Sequence, residues 1–107
     1  MVRGEVVRVA APARARGHEQ RGSRPAVVVQ SDDLLALSTV LVAPTSRSAP
    51  PATFRPVIDL SGTATRVLTD QVRALDVQSI TGSLGRLSSE ELQILDDALA
   101  VVFGLYV

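Results

Sequence analysis

A chain of 107 residues, 46% hydrophobic and 21% charged, has the usual size of one domain and carries too much apolar material to stay disordered. The absence of cysteine excludes disulfides, thiolate zinc sites and thiol nucleophiles, and a single histidine, His18, argues against a histidine-based metal site. The formal net charge of zero hides a division: Arg3, Arg8, Arg14, Arg16, Arg21 and Arg24 stand against only Glu5 and Glu19 in residues 1–30, whereas Arg86 stands against Glu90, Glu91, Asp96 and Asp97 near the end.

Residues 1–107 are therefore expected to form one domain with no cofactor and no metal. A basic segment on a neutral chain suits a local anionic ligand better than general adhesion to nucleic acid, although scattered arginine is also the ordinary make-up of a solvated surface. The longest apolar run is far short of a membrane span, and residues 1–15 hold too many arginines for a signal peptide. A cytoplasmic location without a membrane partner is the expectation.

Val2–Val9, β-branched with polar interruptions, predicts the first strand. Ala10–Ser23 is rich in Ala, Arg, Gly and Pro without a period, and a loop that long in a small domain is usually functional or mobile. Ala26–Gln30 predicts a buried strand, and Thr39–Ala43 another that Pro44 should end. Ser46–Thr53, with Pro50 and Pro51, reads as a second loop. Phe54–Leu60, Thr65–Leu68 and Gln71–Val77 each predict a strand, with Ser61–Gly62 as a turn.

The last segment changes period. Ser88 followed by Glu91 is a capping-box pair, and the two glutamates of the first turn favour the helix dipole. Leu92, Leu95, Leu99, Val102 and Phe103 recur at helical spacing, which predicts an apolar face ending in Phe103, and Gly104 is placed to stop the helix. Short strands followed by one helix give an α+β domain on a strongly curved antiparallel sheet or small barrel.

Five stretches in order resemble the MazF/PemK family of toxins. They are Arg3–Val6 (RGEV), Gly17–Val29 (GHEQRGSRPAVVV), Val42–Ser46 (VAPTS), Asp70–Asp76 (DQVRALD) and Leu84–Ser88 (LGRLS). The resemblance implies an SH3-like barrel with a C-terminal helix, usually a homodimer, that cleaves single-stranded RNA without metal. It also implies an antitoxin partner whose acidic disordered tail covers the RNA groove. Two departures stand out: Val7 and Leu68 occupy places where the family commonly has tryptophan and, in its PemK-type branch, arginine. Val7 reads as a packing position.

Within that resemblance, Arg24 and Thr45 are the expected catalytic pair. A guanidinium stays charged and matches phosphate oxygens as a fork of donors, and a hydroxyl can donate to a phosphate oxygen. On spacing alone Arg24 would sooner be a structural partner of Asp32 or Glu19, and Thr45 a turn cap. His18 and Asp70 are the titratable candidates for acid–base work; Asp70 could equally orient Gln71 or Arg73, and His18 could contact RNA or cap its loop. With only Phe54, Phe103 and Tyr106 as aromatic rings, base recognition should rely on Glu19, Gln20, Ser46 and Gln71 and on arginine planes rather than on ring stacking. Two other functions remain open: a non-enzymatic poison of DNA gyrase like the CcdB toxins, which share this fold, and a weakly catalytic family member that mainly sequesters antitoxin.

Overall fold

The computed structural model describes residues 1–10 and 24–105. In chain order the described elements are β1 (Glu5–Val9), β2 (Arg24–Val28), β3 (Thr39–Ser46), β4 (Val57–Leu60), β5 (Thr63–Val67), β6 (Arg73–Asp76), β7 (Ile80–Arg86) and α1 (Ser89–Phe103), with 3-10 turns at Asp32–Leu34, Thr69–Gln71 and Val77–Ser79. The predicted α+β architecture of a curled antiparallel sheet with one C-terminal helix is what forms.

The long strand β3 is the axle of the sheet. One edge pairs with β2, from Ala26↔Pro44 to Val28↔Val42. The other edge changes partner midway: Thr39–Val42 lie against β6, and Thr45–Ser46 against β5. Sharing one strand between two partners curls the sheet, and the path β4-β5-β3-β2-β1-β7 runs along it. Pro44, expected to end this strand, lies inside it. The Pro44 carbonyl accepts from Leu68 N at 2.8 Å, so its missing N–H falls on that same edge, in the gap between the β6 and β5 pairings, where no ladder bond is lost.

The apolar run of β2 is buried on both faces, which is why it shows no alternation. Val27 joins Val6, Ala43, Ile58, Val67, Leu95 and Leu99 beneath the helix, whereas Ala26 and Val28 join Val7, Val9, Val40 and Val42 on the other face. Val7 is 1% exposed and packs as expected. The hairpin between β4 and β5 turns through Ser61 (φ 53) and Gly62 (φ 84), a two-residue loop with both central residues at positive φ.

Helix α1 begins at its predicted box: Glu91 N donates to Ser88 Oγ, and Ser88 N donates to Glu91 Oε1. It ends at Gly104 in the left-handed region. The other Glu91 oxygen accepts from Asp59 N at 2.9 Å, tying the helix start to β4. One reading of the helix is corrected. Phe103 is 55% exposed and not part of the core face, because the buried residues of the helix stop at Leu99. Strand β7, which propensity did not suggest, pairs with β1 through two irregularities, near Val6–Val7 and near Arg8–Val9; Gly82 and Gly85 lower its strand signal.

Candidate functional site

Arg24 and Thr45, 21 positions apart in the chain, are brought together by the pairing of β2 with β3. Arg24 is the first residue of β2, where Val9 of β1 faces it. The residue before a proline is pushed toward extended backbone, so Pro25 supports the strand conformation at Arg24. Across the sheet, Thr45 Oγ1 donates to the Pro25 carbonyl at 2.9 Å. That bond leaves the threonine hydroxyl one residue from Arg24. Arg24 is exposed and Thr45 half-buried, so both lie at the surface rather than within the core.

Arg24, Pro25, Pro44, Thr45 and Gln71 line two adjoining depressions. The larger, of 520 Å³, continues along Ser46, Arg47 and Ser48 toward Thr65 and Leu68. The smaller, of 180 Å³, continues along Val9, Ala26 and Val42 toward Arg73. The described lining of both carries three guanidinium groups, Arg24, Arg47 and Arg73, and no carboxylate. Such a groove concentrates anions along its length.

Of the residues expected from the sequence, Ser46 and Gln71 sit in this groove with Arg24 and Thr45. The Ser46 hydroxyl oxygen accepts from Ser48 N and Ala49 N at 3.2 and 3.0 Å. Its own hydroxyl hydrogen takes no part in those two bonds. Gln71 closes a 3-10 turn whose N–H donates to Leu68 O at 2.9 Å. His18, Glu19 and Gln20 lie outside the described residues, as does Tyr106.

Asp70 is not part of the described groove lining. Its carboxylate holds the Arg55 guanidinium side-on, with Nε to Oδ1 at 3.1 Å and Nη2 to Oδ2 at 2.8 Å. Neither Gln71 nor Arg73, the partners suggested by sequence, takes that place. The Arg55 side chain holds the Asp70 carboxyl below the usual carboxylate range, against a smaller opposing effect of burial. Arg55 also stacks over Phe54, with 5.6 Å from guanidinium carbon to ring centre, so this ring is already engaged.

Sequence reasoning missed Arg47, Arg55 and Arg73. Arg47 had one local signal: the Ser, Ala and Pro around it contain no acidic residue to neutralise it. Arg73 stands within one of the family-like stretches, and Arg55 has no signal short of the fold. Among the described residues, no group of three or more His, Asp and Glu is placed to hold a metal ion, and no helix is long and apolar enough to cross a membrane.

Comparison with known proteins follows the same line. A family model described as PemK-like, MazF-like toxin of type II toxin–antitoxin system matches residues 2–103. Two proteins of Mycobacterium tuberculosis (strain ATCC 25618 / H37Rv) are similar along almost the whole chain. A candidate toxin, Rv3098A, is 42% identical over 98% of this chain and 99% of its own. The endoribonuclease MazF9 is 32% identical over 99% of this chain and 98% of its own. Among solved structures, a mycobacterial endoribonuclease in complex with its cognate antitoxin superposes with a TM-score of 0.82 at 18% identity, covering 100% of this chain and 98% of that one. MazF of Deinococcus radiodurans gives 0.74 at 25% identity, covering 97% and 96%.

Proposed function

Because the chain belongs to the PemK-like, MazF-like toxins of type II toxin–antitoxin systems, we propose that it acts by cutting single-stranded RNA at short sequences, without a metal ion. The observation that carries this reading is the Thr45–Pro25 hydrogen bond, which holds the Thr45 hydroxyl on the residue next to Arg24, in one arginine-lined groove.

In the proposed reaction the 2′-oxygen of the nucleotide attacks the adjacent phosphorus. The bond from phosphorus to the 5′-oxygen breaks, which leaves a 2′,3′-cyclic phosphate and a 5′-hydroxyl. Arg24 bears the charge that builds on the non-bridging oxygens, since a guanidinium keeps its proton and presents a fork of donors. Thr45 turns its hydroxyl proton from the Pro25 carbonyl to one of those oxygens. The proton leaving the 2′-hydroxyl and the proton reaching the 5′-oxygen pass through His18, the one histidine of the sequence. Ser46 and Gln71 read base edges, and Arg47 and Arg73 hold phosphates on either side of the scissile one; Glu19 and Gln20 add base contacts from the segment outside the described residues. The protein works as a homodimer in the cytoplasm, and an antitoxin with an acidic disordered tail covers the groove. The absence of carboxylates from the described groove lining supports that partner by charge.

The test is cleavage of single-stranded RNA by the purified chain in excess chelator, with the new ends mapped. Products with 5′-hydroxyl ends are expected, and Arg24→Ala lowers the rate by about 10²–10³ with an unchanged fold. An Arg24→Ala variant that cuts at the wild-type rate overturns the assignment. RNA left intact in cells whose topoisomerase is trapped would replace this reading with gyrase poisoning.

A further inference from the structure

Outside the groove, one cluster of side chains joins the two segments that form its walls. The first wall is the loop after β3, which carries Arg47 and Ser48. The second is the Thr69–Gln71 turn, which carries Gln71. Arg55 reaches both. Its Nη1 donates to Pro50 O at 3.3 Å within the loop, and its Nε and Nη2 hold Asp70 of the turn. The Arg55 carbonyl accepts from Arg66 Nη1 at 3.0 Å, which fixes the same point to β5. Beside it, Thr69 Oγ1 donates to Phe54 O.

We infer that Arg55 and Asp70 are positioning residues: their two-point ion pair sets the loop bearing Arg47 against the turn bearing Gln71, and the Asp70 carboxylate takes no part in proton transfer. The ribonuclease activity through which this is read rests on the function proposed above. Two observations favour positioning over acid–base work. Both carboxylate oxygens are occupied by Arg55, so accepting a proton would break the pair. Asp70 is absent from the described lining of either depression.

The test uses the full chain as wild type, Asp70→Asn, Arg55→Gln and the charge-exchanged double variant Arg55→Asp/Asp70→Arg. Two readouts are taken: kcat and KM for RNA cleavage, and amide hydrogen exchange across residues 46–56 and 69–73. Each single variant should speed exchange in both segments while the amides of β2 and β3 stay protected, and should raise KM about fivefold with kcat held within about threefold. The double variant should recover both. A fall in kcat of about 10² or more for Asp70→Asn, at unchanged KM, would overturn the inference and return the carboxylate to the reaction. Unchanged exchange in both segments for both single variants would also overturn it. Should the wild-type chain leave RNA intact, the ribonuclease reading fails, but hydrogen exchange still decides the pair.

Discussion

The Thr45 hydroxyl is the sharpest place to separate catalysis from stability. Thr45→Val swaps the hydroxyl for a methyl group of nearly the same shape, so the loss is the hydrogen bond to Pro25 O. A half-buried neutral hydrogen bond contributes about 1 kcal/mol net. At roughly 2.1 cal/mol/K of unfolding entropy per residue, the 107 residues convert that into a fall of about 4 °C in Tm. At 25 °C the variant stays folded, since domains of this size are stable by about 5 kcal/mol or more. The rate should respond far more. Removing one donor to the developing phosphorane costs about 2.7 kcal/mol, or about 10²-fold, while Thr45→Ser keeps the donor and most of the rate. A cycle with Arg24→Ala tests whether both groups grip one phosphate. If they do, the double variant loses less than the product of the single losses, with a coupling of about 0.5–3 kcal/mol. Single-turnover cleavage of a short RNA gives all four rates. Losses that multiply to within about 0.5 kcal/mol would show that the two side chains act on separate events, and a Thr45→Val rate equal to wild type would remove the hydroxyl from the reaction.

Other outcomes follow from the groove and the core. Arg47→Ala and Arg73→Ala should each reduce by about 0.7 the slope of log affinity against log salt for a non-cleavable single-stranded RNA; fluorescence anisotropy measures it, and an unchanged slope takes that arginine off the RNA path. Leu95, 0% exposed at the centre of the helix–sheet contact, should cost about 3–5 kcal/mol when cut to alanine, read from urea melts; a loss under about 1 kcal/mol would mean the helix is not seated as described. For Glu91, burial is the largest single influence and opposes ionisation, but the hydrogen bonds from Ser88 and Asp59 together outweigh it and hold the carboxyl below its ordinary value. A depressed carboxyl stabilises fully above the unfolded value of about 4.3 and loses that contribution as pH falls through the folded value. Glu91→Gln should therefore flatten the acid limb of stability against pH, and an unchanged limb would show that the helix-to-β4 tie carries no linked proton.

How much was legible beforehand depends on how local each signal is. The start and stop of α1 lie in Ser88, Glu91 and Gly104 themselves, because caps act within one turn. The Ser61–Gly62 turn is of the same kind. Phe103 follows the helical period but is exposed, since a period cannot say how far the sheet beneath a helix extends. Pro44 belongs inside β3 only because the β6-to-β5 handover leaves a place for a residue without an N–H, and that handover is written nowhere near position 44. Strand β7 depends on a partner more than seventy residues earlier, and its glycines conceal it from propensity.

The groove follows the same rule with a chemical consequence. Arg24 and Thr45 were singled out by likeness to a family, not by their spacing, and the strand pairing that joins them is non-local. Arg47 and Arg73 enter only when the two depressions are traced. Every side chain in the described lining is arginine, hydroxyl, amide or apolar. In the proposed reaction, acid–base work therefore falls to a residue outside that lining, and His18 is the one histidine of the sequence. On that proposal, holding the phosphate and moving the proton are separate tasks, carried by separate segments of the chain.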